Sequence, residues 1–113
     1  MICRMWRGWT TPQNADAYEA YLHNELFPRL SRELSDQGYR GFHILRLPRG
    51  DEVQFVTLVW FTSIDVVRAF AGDDYERAYI SDTAAKLLSE YADRCDHFEL
   101  KGTSWAVPAY GAC

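Results

Sequence analysis

Short dense runs of β-branched and aromatic residues predict four strands along this chain. The runs cover Ile2–Trp9, Gly41–Leu47, Val53–Phe61 and Cys95–Leu100. Between the second and third runs the polar stretch of residues 48–52 contains a glycine followed by an acid. This pattern is typical of a hairpin turn, with Gly50-Asp51 at its tip.

A repeat of about four residues replaces the strand pattern from Ala15 onward and predicts the first helix. The members of its apolar stripe are Tyr18, Leu22, Leu26, Leu30 and Leu34. Pro28 lies inside this helix and predicts a kink, because proline removes one backbone hydrogen bond and clashes with the preceding turn. Gly38 is expected to end the helix as a C-cap.

The second helical region is less regular than the first. Ser63 starts it, and its apolar side consists of Val66, Val67, Ala69 and Phe70. The run Gly72-Asp73-Asp74 interrupts it, and further helical stretches are expected over Tyr75–Tyr79 and Asp82–Tyr91.

The order strand, helix, strand, strand, helix, strand predicts an α+β fold. It is the order of a ferredoxin-like split β-α-β-β-α-β domain, in which a four-stranded antiparallel sheet carries both helices on one face. We expect this domain to cover residues 1–101, followed by a C-terminal tail over residues 102–113.

The third strand predicts that the chain pairs with a second copy of itself. Its apolar residues fall on both faces: Phe55, Val56, Leu58, Val59, Trp60 and Phe61. Since the helices cover one face only, the other face needs a cover. A homodimer through the sheet face, a dimeric α+β barrel, provides one. The alternative is that the C-terminal tail folds back over that face.

Composition narrows the range of partners. Of the 113 residues 48% are hydrophobic and 15% aromatic, enough for a packed core. The net charge of −4 argues against a nucleic-acid partner, which needs a basic face. No run approaches the roughly 18 apolar residues of a membrane span, and the first ten residues do not form a signal peptide. We therefore expect a cytoplasmic protein with no membrane partner.

The cysteines do not suggest a disulfide framework or a zinc site. There are three, Cys3, Cys95 and Cys113, and no two have the C-x-x-C spacing. All three are expected to be free thiols. No phosphate loop, dinucleotide-binding glycine motif or metal loop is present either, so neither a cofactor nor a metal is expected.

Pairing across the Gly50-Asp51 turn places a candidate base beside an aromatic wall. The pairs are Leu45 with Val56, His43 with Leu58, and Gly41 with Trp60, all on one face. His43 is the candidate catalytic base, because the pKa of histidine lies near the working pH. A histidine bonded to water at the sheet margin is the plainer alternative, and His97 is the alternative base.

Arg4 stands among apolar residues of the first strand. A buried guanidinium at this position could hold an oxyanion of a substrate. It could equally reach the sheet edge along its apolar stem, or pair with Glu99 or Asp96 on the fourth strand.

Five aromatic residues are candidate walls of a pocket for a small, flat aromatic molecule. They are Trp60, Trp6, Phe70, Tyr75 and Tyr79. Each could instead be an ordinary core aromatic.

The sequence resembles the antibiotic biosynthesis monooxygenase superfamily, the dimeric α+β barrel proteins, over nearly all of the chain up to Leu100. The residues that carry the resemblance are Ala17-Tyr18, Tyr21-Leu22, Pro28, Leu30, Gly38-Tyr39-Arg40-Gly41, Leu45-Arg46, Trp60, Ser63, Arg68-Ala69-Phe70-Ala71-Gly72, Asp74-Tyr75, Ala78 and His97-Phe98-Glu99.

The resemblance implies oxygenation of an electron-rich aromatic by O₂ without metal or flavin. In quinone-forming members, a tryptophan at the end of the third strand acts with an asparagine four residues earlier. Trp60 matches the tryptophan, and Val56 occupies the asparagine position. Haem-degrading members use a tryptophan and a histidine where Phe70 and Tyr79 stand, so haem degradation is not expected.

Three functions follow as hypotheses. The first is a cofactor-independent monooxygenase acting on an aromatic or polyketide-like molecule, with His43 as base, Arg4 as anion holder and Trp60 as stacking wall. The second is a non-redox isomerase or cyclase that uses the same base on an enolisable substrate. The third is a small-molecule-binding or stress-related dimer without catalysis.

Overall fold

The computed structural model of the chain describes residues 1–104, which form an α+β fold with an antiparallel sheet. Its elements in chain order are β1 Ile2–Thr10, α1 Pro12–Tyr21, a π-helical turn Leu22–Leu26, α2 Phe27–Leu34, β2 Tyr39–Arg49, β3 Glu52–Phe61, α3 Ile64–Ala71, α4 Asp82–Leu87, β4 Glu90–Tyr91 and β5 Asp96–Glu99. The predicted α+β class is therefore confirmed. Two of the sequence-based statements fall on residues beyond this range: the alternative in which the C-terminal tail covers the open sheet face, and the predicted free thiol at Cys113.

The sheet has the order β2-β3-β1, with two short strands on the outer edge of β1. β5 pairs with Ile2–Met5, and β4 pairs with Gly8 and Trp9. Residues 1–104 thus contain five strands where the sequence predicted four. The additional strand, Glu90–Tyr91, lies where the pattern predicted the end of a helix.

The predicted register of the central hairpin is confirmed. Gly41 pairs with Trp60, His43 with Leu58 and Leu45 with Val56. Alternate residues of β3, from Val53 to Phe61, are buried against the helices, and the residues between them are half-buried on the opposite face.

The kink predicted at Pro28 takes the form of a π-helical turn. Proline has no N–H for the carbonyl four residues earlier, and its ring clashes with that carbonyl. The helix widens just before it: the N–H of Phe27 donates to the carbonyl of Leu22, five residues back. Leu22 and Phe27 both remain buried, so the widened turn keeps the apolar stripe facing the sheet.

The helix predicted over Tyr75–Tyr79 is wrong, because its backbone groups bond to other elements. The N–H of Ala78 donates to the carbonyl of Asp93 (2.8 Å), and the carbonyl of Glu76 accepts from Cys95 (2.6 Å). Residues 72–81 instead form an irregular loop between α3 and α4. The last helix is also shorter than predicted and ends at Leu87.

Within residues 1–104, no helix has the length and apolar character needed to cross a membrane. The predicted free state of two cysteines is confirmed, since Cys3 and Cys95 are both unpaired and buried.

Candidate functional site

A cavity of about 390 Å³ lies between the helices and the sheet. This volume is within the range of roughly 300–1,000 Å³ that is usual for small-molecule sites. Its apolar wall includes Trp6, Leu22, Phe27, Leu30, Val59 and Phe70. Its polar lining includes three arginines, several hydroxyl groups and the thiol of Cys95, but no carboxylate and no imidazole from residues 1–104.

Arg4 is the buried charge of this cavity. It faces the helices from β1, opposite Val59, and is only 8% exposed. Its Nη1 donates to the carbonyl of Tyr75, and its Nη2 donates to the carbonyl of Arg77 at 3.1 Å. Arg4 therefore fixes the 72–81 loop, which forms part of the cavity wall.

No carboxylate of residues 1–104 lies within 4.0 Å of the Arg4 guanidinium. The two predicted partners are engaged elsewhere, Asp96 with Arg7 and Glu99 with Lys101. The burial also excludes the predicted alternative in which Arg4 reaches out to the sheet edge. Burial lowers the pKa of Arg4, but a guanidinium keeps its proton in proteins. Among residues 1–104, the cavity therefore holds a cation without a counter-charge.

His97 supplies the third contact of Arg4. It pairs with Arg4 across β1 and β5, and its Nε2 lies 3.0 Å from Nη1. Since a guanidinium only donates, Nε2 must accept, and the neutral ring carries its proton on Nδ1. Burial, and then the Arg4 charge, lowers the pKa of His97 below its ordinary value of 6.5. The ring thus positions Arg4 without neutralising it.

Two N–H groups of Arg4 have no hydrogen-bond partner among residues 1–104. A guanidinium has five N–H groups, and the contacts with Tyr75, Arg77 and His97 use three of them. The Cys95 thiol lies on the same cavity wall, and burial raises its pKa, so it adds no negative charge. An oxyanion in the cavity would find both a charge and free donors.

Trp6 forms a fixed wall of the cavity because Gly8 leaves room for its indole. Both residues face the helices, and the Trp6 ring lies over the Gly8 backbone. The indole Nε1 donates to the carbonyl of Ala92 at 2.9 Å, which fixes the ring plane. Trp6 therefore lies in the cavity wall, and its contact with a substrate stays a prediction.

The other three candidate aromatics of this region take different positions. Phe70 lines the cavity, with its ring centroid 5.8 Å from the Arg4 guanidinium carbon. Tyr79 lies at the cavity margin and is 85% exposed. The Tyr75 side chain is not part of the lining, and its ring packs against His97 with centroids 5.1 Å apart.

His43 and Trp60 lie together, but on the sheet face opposite the cavity. The Trp60 indole Nε1 donates to His43 Nδ1 at 2.9 Å, beside the open space at Gly41. The structure therefore does not bring His43 together with Arg4. Arg4 pairs with Val59 and His43 pairs with Leu58, and these two consecutive residues of β3 point to opposite faces of the sheet.

Sequence reasoning missed several polar residues of the cavity. Thr57 is the one polar residue among the alternating buried positions of β3, which is a signal that the sequence already contains. Tyr18, a member of the apolar stripe of α1, also lines the cavity. Arg29 and Arg77 line it from the surface, and no local pattern marks either of them.

The sequence matches no protein-family model and no curated protein.

Proposed function

We propose that this chain is a cofactor-independent monooxygenase that binds a polycyclic phenol or enol as its anion in the helix–sheet cavity. The observation that carries the proposal is the buried Arg4 guanidinium, which has no carboxylate partner within residues 1–104, in the wall of an otherwise largely apolar cavity. A positive charge within about 4–6 Å of an acidic hydroxyl lowers its pKa by roughly 1–3 units. Arg4 would in this way favour the electron-rich form that reacts with O₂.

The reaction needs no group that the chain lacks. The substrate anion passes two electrons to O₂ one at a time, and a carbon–oxygen bond forms to give a peroxide anion, which takes a proton from water and becomes a hydroperoxide. Loss of water then leaves a carbonyl. For a methylene carbon, both hydrogens and one oxygen atom leave as water, and the second oxygen remains on carbon. The resemblance to the antibiotic biosynthesis monooxygenases supplies this reaction class, and the cavity supplies binding and exclusion of water.

The absence of a base in the described lining favours this reaction over isomerisation or cyclisation. An isomerase must remove a proton and return it at another atom, which calls for a positioned acid–base group. An acidic phenol or enol needs only a stabilised anion, because water can take its proton. The absence of a base in the described lining also supports a second candidate function, a dimer that binds an aromatic anion without turnover.

We also propose that the fold is the ferredoxin-like split β-α-β type and that two copies pair through the open sheet face. The support is the order β2-β3-β1-β5 and the apolar character of that face. Leu45, Leu47 and Phe98 on it are 43–51% exposed. The half-buried members of the face include Met5, Val56, Leu58 and Trp60. An apolar patch of this kind marks an interaction surface.

Oxygen uptake with anthrone tests the reaction. The wild-type protein should consume one O₂ for each anthraquinone formed, faster than buffer alone. Thr57→Phe should abolish this activity because the new ring occupies the cavity. His43→Gln should retain it, since His43 lies on the other face and glutamine can still accept from Trp60.

Three results would overturn the proposal. If Thr57→Phe, shown to be folded by circular dichroism, oxidises anthrone at the wild-type rate, the cavity is not the site. If His43→Gln alone loses activity, the sequence-based prediction of His43 as the base is favoured. Binding of anthrone without oxygen uptake by the wild-type protein would support the non-catalytic candidate.

A further inference from the structure

Two further arginines line the cavity where it meets the surface. Arg29 comes from α2 and Arg77 from the 72–81 loop, and both side chains belong to exposed residues. Within residues 1–104 neither lies within 4.0 Å of a carboxylate. The neighbouring acids Asp74 and Glu76 instead contact Arg94, at 2.7 and 3.5 Å.

The resulting charge distribution is opposite to that of the whole chain. The chain carries a net charge of −4, yet the described cavity lining has three guanidinium groups and no carboxylate. Arg4 is buried in the wall, and Arg29 and Arg77 are at the margin with the exposed Tyr79. The cavity therefore presents positive charge at two levels, with aromatic and aliphatic side chains around it.

We propose that the ligand of this cavity carries a second oxyanion, a carboxylate, which Arg29 and Arg77 bind at the margin while Arg4 holds the ionised hydroxyl inside. This inference rests on the proposed binding of an aromatic anion at Arg4, and it narrows the ligand to an aromatic hydroxy acid. The planar fork of each guanidinium matches the two oxygens of a carboxylate. The apolar body of the ligand would lie against Trp6 and Phe70.

Three naphthalene probes that differ in one group test this inference. They are 2-naphthol, 6-hydroxy-2-naphthoic acid and the methyl ester of that acid. The acid and the ester are similar in shape and differ mainly in the carboxylate charge. We expect the wild-type protein to bind the acid about tenfold more tightly than the ester by calorimetric titration, because exposed charge contacts are individually modest.

Matched variants locate the effect. In Arg29→Gln/Arg77→Gln the acid and the ester should bind with equal affinity, and the affinity for 2-naphthol should not change. The control Arg32→Gln/Arg49→Gln removes the same net charge from exposed residues that do not line the cavity. It should keep the tenfold preference for the acid.

The outcomes separate the two proposals. If the wild-type protein binds 2-naphthol but does not prefer the acid to the ester, the inference of a second oxyanion is wrong and the proposed function stands. A preference that persists in Arg29→Gln/Arg77→Gln, or that disappears equally in the control, also overturns the inference. If none of the three probes binds, the proposed function itself fails.

Discussion

Replacing Gly8 by alanine should destabilise the protein through the Trp6 indole. A Cβ at Gly8 would lie 2.3 Å from Cη2 of Trp6 and 2.9 Å from its Cζ3. The indole cannot move freely, because Trp6 is 8% exposed and its Nε1 donates to Ala92. The overpacking costs about 1–3 kcal/mol, and the strained hydrogen bond adds roughly 0.5–1.5 kcal/mol. Alanine also lowers the conformational entropy of the unfolded chain, and this offsets about 0.4–1 kcal/mol of the destabilisation. The net loss should be about 2 kcal/mol.

A double-mutant cycle isolates this contact. In a Trp6→Phe background the outer ring atoms are absent, so adding Gly8→Ala should change the free energy of unfolding by less than about 0.5 kcal/mol. Gly102→Ala is the control, because its Cβ would meet no atom within 4 Å. Urea unfolding of the four cycle members and the control measures these values. If Gly8→Ala costs the same with and without the indole, the assigned cause is wrong.

The remaining predictions concern pH, capping and assembly. Because the pKa of His97 lies below 6.5 in the folded state, the unfolded chain binds more protons, and stability should fall as the pH drops below about 6.5. Urea unfolding at pH 7.5 and 5.5 should show a smaller loss for His97→Gln than for the exposed control His23→Gln; equal losses would contradict the assignment. Ser81→Ala should cost about 1–2 kcal/mol, since Ser81 accepts from the N–H of Ala84 and bonds to the Tyr21 hydroxyl; an unchanged urea midpoint would refute this. Light scattering should show that the wild-type protein is a dimer and that Leu58→Lys is a folded monomer. If Leu58→Lys is still a dimer, the open sheet face is not the interface.

The central hairpin was the part of the fold most accessible from the sequence. The Gly50-Asp51 turn fixes which residues of β2 and β3 are opposite, and the alternation in β3 then fixes their faces. The helix predicted over Tyr75–Tyr79 failed for the opposite reason. That segment bonds to Arg4 and to residues 93–95, which are distant in sequence, so local pattern could not show its state.

The candidate site was only partly accessible for the same reason. Arg4 and His43 were both plausible functional residues, but no turn links β1 to β2, so the sequence did not place them on opposite faces. The contact of Arg4 with His97 depends on the pairing of the first and last strands. That no carboxylate of residues 1–104 contacts Arg4 depends on where the Asp96 and Glu99 side chains point.

The pKa of bound 2-naphthol tests the central claim most directly. If the uncompensated charge of Arg4 holds the anion, an absorbance titration of the saturated wild-type complex should place the pKa of the hydroxyl at least about 1 unit below that of free 2-naphthol. A pKa equal to or above the free value would show that desolvation in the cavity outweighs the guanidinium. That result would contradict the account of the cavity as a site for an aromatic anion.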